Sequence, residues 1–156
     1  MKKTLLVTTS IFLGFLLWSC GSKQSPSQAK AEFKPKVGDR VLAEWGSETF
    51  EEATVKSIDS NKAQVVFSDN SENSVKLPDE VMPIPTTALR VAPGDYVLGQ
   101  YPYQKEMWIG GRVNSVNGAT VNMKFSNTDA DSDAPADKIV KAPDYMIPAI
   151  KKELKQ

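Results

Sequence analysis

Apolar and polar residues alternate along most of the chain after residue 36, which is the pattern of short β-strands with one buried face. The stretch VGDRVLAEW, residues 37–45, returns 56 positions later as PGDYVLGQY, residues 93–101. Later matched positions are 56 or 58 residues apart. Because strand side chains alternate faces with period two, an offset that changes by two keeps the same side chains on the buried face. The pattern therefore predicts two copies of one small β-structure.

A predicted hairpin turn marks one change of offset. DSNK, residues 59–62, separates two alternating runs in the first copy, and Asn117-Gly118 separates the corresponding runs in the second. This alignment matches Ala63 with Ala119 and Val65 with Val121. Asn-Gly favours a type I′ turn, because both central residues then need a positive φ. Five short antiparallel strands in about 50 residues are most economically closed into a barrel. We expect the linker PTTALRVAP, residues 85–93, to hold the barrels together; the alternative is two independent domains.

Several motifs of the first copy, residues 36–84, belong together. Gly-Asp precedes the first strand, an aromatic residue ends it, ATVKSI follows, VVF precedes an Asp/Asn/Ser loop, and LPDEVMPI closes the copy. In these features the copy resembles a Tudor domain of the kind found in the survival motor neuron protein, and the second copy resembles it most clearly up to Phe125. The resemblance implies an all-β protein with two tandem five-stranded SH3-like barrels, residues 36–85 and 91–143.

The resemblance also implies a site. Tudor domains that bind methylated arginine or lysine surround the cation with aromatic rings, each contributing about 0.5 to 2 kcal/mol, and place a polar residue at the rim. These roles fall on Trp45, Phe50 and Phe67 with Glu72 at the rim, and in the second copy on Tyr101, Trp108 and Phe125. A further aromatic residue of the family is replaced by Asn70 and Thr128. The alternative is that the rings only fill two very small cores.

The first twenty residues indicate export. Lys2 and Lys3 precede an apolar stretch of about fifteen residues, shorter than the ~20 of a membrane span. Leu17-Trp18-Ser19-Cys20-Gly21 resembles the lipobox of bacterial lipoproteins, although Trp18 departs from the small residue usual there. The resemblance implies a signal peptide, residues 1–19, and a lipidated Cys20 that anchors the protein to a membrane of the cell envelope. The alternative is a secreted protein cleaved after Ser19. Residues 20–35 are predicted to be a flexible tether.

Composition narrows the function. The chain has 19 basic and 19 acidic residues and no histidine, with no basic stripe or nucleic-acid motif, so no nucleic-acid partner is expected. No nucleophile motif, phosphate loop or metal-ligand set is present, so we expect no enzyme, no cofactor and no metal site. The alternating acids Asp129, Asp131 and Asp133 lack the glycine and glutamate of an EF-hand loop, and we interpret residues 127–138 as a solvated loop.

Two further segments carry candidate roles. YPYQKEMW, residues 101–108, is either a binding loop or a loop whose rings fold onto the neighbouring barrel. The tail, residues 144–156, is predicted to form a short helix with Pro148 near its start that caps the second barrel. The sequence thus predicts an envelope lipoprotein that binds a peptide, cationic or glycan group of an envelope protein or cell-wall partner. The alternative is a structural or assembly component with no small-ligand pocket.

Overall fold

The computed structural model of the protein describes residues 33–128 and 131–155. The first copy forms β1 (Arg40–Gly46), β2 (Thr49–Asp59), β3 (Lys62–Phe67), β4 (Glu72–Lys76) and β5 (Val81–Pro83). The second forms β6 (Tyr96–Tyr101), β7 (Gln104–Asn117), β8 (Thr120–Phe125), β9 (Asp131–Pro135) and β10 (Ile139–Lys141), and helix α1 (Ile147–Glu153) follows. The all-β prediction is confirmed. The predicted signal peptide, Cys20 and most of the tether lie outside the described residues.

Each copy folds into the same small barrel. In barrel 1, β1–β5, the strands pair in the order β5-β1-β2-β3-β4, and in barrel 2, β6–β10, they pair as β10-β6-β7-β8-β9. Alternate residues of these strands fill the cores, because each strand has one face turned inward. The core of barrel 1 contains Val41, Ala43, Ala53, Val55, Ala63, Val65, Phe67, Val75 and Val81. The core of barrel 2 contains Val97, Ile109, Val113, Val121, Met123, Phe125, Ala134, Ala136 and Ile139.

The repeated Gly-Asp pair forms the turn that leads into the first strand of each barrel. Gly38 and Gly94 have φ values of +91° and +96°, a region that glycine enters without steric cost. The carboxylate of the following aspartate, Asp39 or Asp95, accepts a hydrogen bond of 2.8 Å from a backbone N–H three residues earlier. The shared turn geometry therefore explains why both copies begin with a Gly-Asp pair.

The hairpins after the second strand of each copy differ from the prediction. Asp59 pairs with Lys62 and Asn117 with Thr120, so both turns have two central residues. In each turn φ is positive only at the first of them, Ser60 or Gly118, which is the pattern of a type II′ turn. The predicted type I′ turn at Asn117-Gly118 is therefore wrong. Because the turns have equal length, the offset stays at 58, and Ala63 and Val65 correspond to Val121 and Met123 rather than to Ala119 and Val121.

The two barrels are joined by a shared sheet. The first residues of β2 pair with β7 in the register Thr49–Ile109, Phe50–Trp108 and Glu51–Met107. Phe50 and Trp108 are equivalent positions, 58 residues apart, so an approximate twofold axis passes between them. A third apolar cluster, here called the interface cluster, surrounds this pair and contains Leu42, Phe50, Leu98, Trp108, Ala142, Met146 and Ile150. The expected packing of the barrels is confirmed, and strand pairing provides it.

The C-terminal segment lies across both barrels. Ile150 of α1 is fully buried in the interface cluster, and a Cβ on Gly110 of β7 would lie 2.6 Å from its side chain. Glycine at this position therefore allows the helix to approach the sheet. The Tyr145 hydroxyl donates a 2.7 Å hydrogen bond to Glu44 of barrel 1. The tail therefore packs on barrel 2, as predicted, and also contacts barrel 1. None of the helices among the described residues is long and apolar enough to span a membrane.

The acidic run of the second copy is an edge strand and not only a loop. Asp131–Pro135 forms β9, which pairs with β8 and with no other strand of the described residues. Asp133 accepts a 2.8 Å hydrogen bond from the Asn122 side chain across this pair. Charged residues on an exposed edge discourage pairing with another chain. Asp129 lies outside the described residues.

Candidate cation-binding site

Trp45 and Phe67 form an aromatic pair at one end of barrel 1. Trp45 follows the core residues Val41 and Ala43 along β1, and Phe67 ends β3. The ring centroids lie 4.8 Å apart and the ring planes meet at 83°, an edge-to-face arrangement. Phe67 is buried, whereas 46% of Trp45 is exposed. The pair therefore combines a fixed ring with an indole that is open to solvent.

Glu51 places a carboxylate beside this pair. Glu51 alternates with the core residues Ala53 and Val55 along β2, so its side chain belongs to the inward face. It pairs with Ala43, and Ala53 pairs with Phe67, so Phe67 is its diagonal neighbour on that face. Trp45 lies at the β-bulge between Glu44 and Gly46 and packs on Phe67. No residue of the described ranges forms an ion pair with Glu51. The mouth of barrel 1, defined here as Trp45, Glu51, Phe67 and Asp69, therefore carries negative charge without a cationic partner.

The pKa values of the two acids at the mouth of barrel 1 shift in opposite directions. Burial raises the pKa of Glu51, and the negative charges of Asp69 and Glu106 raise it further. Hydrogen bonds from the Ser71 hydroxyl and the Ser71 backbone N–H lower the pKa of the fully exposed Asp69. A cation in the mouth would relieve the repulsion between these carboxylates, because an opposite charge favours the ionised form.

Glu72, predicted at the rim, lies elsewhere. The Lys56 ammonium donates a 2.5 Å hydrogen bond to the Glu72 carboxylate, and this contact lowers the pKa of Glu72. The next residue, Asn73, instead reaches β1, where its amide donates to the backbone oxygen of Glu44 at 3.4 Å. Because Glu44 immediately precedes Trp45, Asn73 is the polar side chain that the structure places near the exposed ring.

Phe50 and Trp108, both predicted as site residues, do not belong to an aromatic pair at the end of a barrel. Both are fully buried in the interface cluster, where they face each other across the β2–β7 pair. They have opposite parity to the inward residues of their strands, Ala53 and Ile109, so they point out of their own barrels. The candidate site of barrel 1 therefore retains Trp45 and Phe67 from the predicted rings.

Barrel 2 presents a different mouth. The Tyr101 and Phe125 ring centroids lie 5.5 Å apart, and Tyr103 meets Tyr101 at the same distance. Phe125 is fully buried, Tyr101 is half-buried and 82% of Tyr103 is exposed. At the position equivalent to Glu51, offset by 58, barrel 2 has Ile109, which is buried in its core. Barrel 2 thus offers stacking surface from the 101–108 hairpin without the acid of barrel 1.

The sequence contained a signal for the residues that were missed. Glu51 has the parity of Ala53 and Val55, so strict alternation along β2 already places it inward. A charged residue at an inward position near the end of a strand is unusual for a structural core. Following parity rather than the order of aromatic residues would have selected Glu51 and rejected Phe50. Asn73 has no comparable signal, because its position depends on how β4 meets β1.

Replacing Glu51 with glutamine should stabilise the protein at pH 7 by at most about 1 kcal/mol, since much of the side chain is exposed. The pKa of Glu51 in the folded protein is raised above its ordinary value of 4.5, so its ionised form opposes folding. The advantage of Glu51→Gln should therefore grow as the pH rises from 4.5 and disappear below it. Urea unfolding at a series of pH values measures this difference, and a variant that is less stable at pH 7 would contradict it.

The comparison with known proteins identifies the fold. Neither a protein-family model nor a curated protein matches the chain. The chain is similar to the solved tandem Agenet domain 3-4 of ADCP1, with 16% identity over 69% of this chain and 79% of that chain and a TM-score of 0.48. It is also similar to AGD34 of Arabidopsis thaliana AGDP1, with 15% identity over 69% of this chain and 82% of that chain and a TM-score of 0.50. The second likeness shows a tandem Tudor-like fold.

Proposed function

We propose that this protein is a lipid-anchored component of a bacterial cell envelope whose barrel 1 binds a cationic group without catalysis. The observation that carries the binding role is the mouth of barrel 1, where the exposed Trp45 ring packs on Phe67, and Phe67 is the diagonal neighbour of Glu51. The Glu51 carboxylate forms no ion pair with any described residue. Tandem Agenet and other Tudor-like domains are non-catalytic binding modules, which supports the same class of function.

The chemistry of the mouth fits an ammonium or guanidinium group. A cation held against the indole face gains cation–π attraction, worth about 0.5 to 2 kcal/mol. The Glu51 and Asp69 carboxylates add attraction that increases as the group leaves bulk water. Together these contacts favour a positively charged side chain or headgroup over a neutral sugar.

A neighbouring groove fits the rest of a peptide that carries the cation. It has a volume of about 360 Å³ and lies between β2–β3 of barrel 1 and the β6–β7 hairpin of barrel 2. Phe67 belongs both to the groove lining and to the mouth, so the two are neighbours. Arg40 and Glu52 in its wall form an ion pair, which leaves the groove mixed in polarity. We therefore favour a peptide segment of an envelope protein as the partner.

Barrel 2 takes the structural role in this proposal. Phe125 is fully buried and Tyr101 half-buried, and Trp108 contributes to the interface cluster. These three aromatic rings of barrel 2 are therefore used mainly to build its core and to pack against barrel 1. This observation supports the assembly function for one half of the protein.

The anchoring part of the proposal rests on the sequence of the first 21 residues. Leu17-Trp18-Ser19-Cys20-Gly21 follows a basic and then apolar segment, as in lipoprotein precursors. A tether of residues 20–35 would reach at most about 55 Å when fully extended. The barrels would then meet partners in the envelope at some distance from the lipid surface.

An NMR titration of the full chain in a neutral detergent tests the binding site. Choline, Nα-acetylarginine amide and N-acetylglucosamine serve as probes of an ammonium, a guanidinium and a glycan. We expect the two cations to shift the Trp45 indole N–H signal and to leave that of the buried Trp108 unchanged. Trp45→Ala should weaken cation binding at least about fivefold, which corresponds to roughly 1 kcal/mol.

The control is Tyr103→Ala, which removes a more exposed ring from barrel 2 and should leave cation binding unchanged. A second variant, Glu51→Gln, should weaken binding while the fold becomes no less stable. Shifts caused only by the glycan, or cations that bind Trp45→Ala as tightly as the unmodified chain, would refute the cation site.

A further inference from the structure

A cluster of cations covers one outer face of barrel 2, away from both mouths. Tyr96 on β6 pairs with Arg112 on β7, and Arg112 pairs with Lys124 on β8. Residues paired directly across neighbouring strands lie on the same face, so the three side chains form one row. Arg112 and Lys124 are therefore like charges at directly opposed positions of a ladder, an arrangement that opposes folding.

Helix α1 brings two more cations to this row. Ile150 fixes the helix by its burial in the interface cluster. The Lys151 ammonium lies 5.1 Å from the centroid of the Tyr96 ring, within cation–π distance. Lys155 follows the end of the helix and lines the same groove as Lys151, so the two like charges repel each other. The C-terminal segment thus adds positive charges to a face on which Arg112 and Lys124 already repel each other.

The row and the helix enclose a groove of about 410 Å³. Its lining consists of Tyr96, Arg112, Lys124, Lys151, Leu154 and Lys155. The lining therefore contains four cations and no carboxylate. Such a volume holds a phosphate-sized group together with part of the molecule that carries it.

The nearest acids do not neutralise these cations. Asp131 pairs with Lys124 across β8 and β9, yet the two side chains form no ion pair. Within residues 33–128 and 131–155, the same is true of Arg112, Lys151 and Lys155. Glu153 projects toward Glu48 of barrel 1, since its negative charge raises the pKa of that residue. Among residues 33–128 and 131–155, no carboxylate therefore forms an ion pair with a cation of the groove.

We infer that the groove formed by Arg112, Lys124, Lys151 and Lys155 binds the phosphate group of an organic phosphate. The Arg112 guanidinium can donate two parallel hydrogen bonds to phosphate oxygens, and the lysines add point charges around them. Tyr96 and Leu154 supply an apolar wall for the organic part of the ligand. A bound phosphate would also remove the repulsion between the opposed cations of the β-ladder.

The test uses the full chain in a neutral detergent at constant ionic strength, because screening alone changes the affinity of exposed charges. Inorganic pyrophosphate and dihexanoyl phosphatidylglycerol are the two probes, and binding is measured by isothermal titration and by NMR shifts of the Arg112 and Lys124 side chains. Stronger binding of the lipid identifies a phospholipid headgroup as the source of the phosphate. Stronger binding of pyrophosphate identifies a soluble phosphate.

The groove variant Arg112→Gln/Lys124→Gln should bind the preferred probe at least about tenfold more weakly, because two charge-assisted contacts are lost. Its melting temperature without phosphate should not fall, since the substitution removes a repulsive pair. The matched control Arg90→Gln/Lys62→Gln removes the same charges at exposed positions outside the groove and should stay within about twofold of the unmodified chain. Equal affinities for the groove variant and this control would overturn the inference, as would the absence of binding up to about 10 mM of either probe.

Discussion

Trp108→Ala should lower the free energy of unfolding by about 3 to 5 kcal/mol, the usual cost of removing a fully buried large aromatic ring. Trp108 is completely buried, and it faces Phe50 in the strand pair that joins the barrels. The other members of the interface cluster come from both barrels and from α1, so they cannot collapse into the vacated space without moving a strand or the helix. Urea unfolding followed by circular dichroism measures the loss.

The same variant should also divide the unfolding transition. Because the unmodified chain has a shared sheet and an interface cluster, we expect barrel 1 and barrel 2 to unfold together. Without the Trp108 ring, NMR signals from the two barrels should disappear at different urea concentrations. A single transition shifted by less than about 1 kcal/mol would show that this ring does not join the barrels.

Two substitutions separate loss of packing from other effects. Trp108→Phe keeps much of the apolar surface and removes an indole N–H that has no hydrogen-bond partner in the described residues, so it should cost less than half as much as alanine. Tyr103→Ala removes an exposed ring from the same hairpin and should change the stability by no more than about 0.5 kcal/mol. If Tyr103→Ala were as destabilising as Trp108→Ala, burial would not be the cause.

The repeat and its alternation of apolar and polar residues were sufficient to predict the strands, because alternate residues of each strand face the core in both barrels. The positions Val41, Ala43 and Val55 and their counterparts in the second copy are all buried as the pattern requires. Turn type was harder to predict. Asn-Gly indicated a central pair, but the strand pairing extends to Asn117 and moves the turn forward by one residue. Register, which depends on contacts along the whole strand, therefore overrode the preference of two residues.

The interface between the barrels could not be predicted from the copies considered singly. Leu42 and Leu98 lie on the outer faces of their own barrels, where a single-barrel interpretation expects solvent. Their burial depends on the pairing of β2 with β7, which joins residues 56 to 60 positions apart in the sequence. The aromatic residues Phe50 and Trp108 were assigned to cages for the same reason, since an outward-facing ring has no evident partner within one barrel.

The two barrels differ most where function is proposed. The inward position occupied by Ile109 in barrel 2 is occupied by Glu51 in barrel 1, although burial disfavours the charge of Glu51. An apolar residue there would make a better core, as barrel 2 demonstrates. A carboxylate that opposes folding at this inward position is better explained by the proposed binding role than by packing. In the proposed function, this asymmetry is what distinguishes the binding role of barrel 1 from the structural role of barrel 2.

Cys20→Ser should abolish lipid attachment. The thiol of Cys20 is the group that would receive the acyl-glyceryl chains, and a hydroxyl does not replace a thiol in this modification. In a bacterial host supplied with labelled fatty acid, the unmodified chain should carry the label and begin at Cys20, as mass spectrometry would show. The Cys20→Ser chain should lose at least about nine-tenths of the label, and its N-terminal segment should remain uncut. Because each buried CH₂ contributes about 0.8 kcal/mol, several acyl chains would hold the mature protein on the membrane almost irreversibly.

Ser19→Ala provides the matched control, because it changes the neighbouring residue while keeping a small side chain before the cysteine, and it should preserve both the label and the cleavage site. Trp18→Ala should increase the fraction of processed chain, since Trp18 is the one position that departs from the lipobox pattern. Fractionation alone is not a sufficient measurement, because an uncut apolar segment could also hold the Cys20→Ser chain on membranes. Label on Cys20→Ser would show that Cys20 is not the site of lipid attachment. An unmodified chain that is cut after Ser19 and keeps a free thiol would instead establish secretion without an anchor. Neither the proposed cation site nor the proposed phosphate groove includes a residue that precedes barrel 1. Both sites would then act in solution.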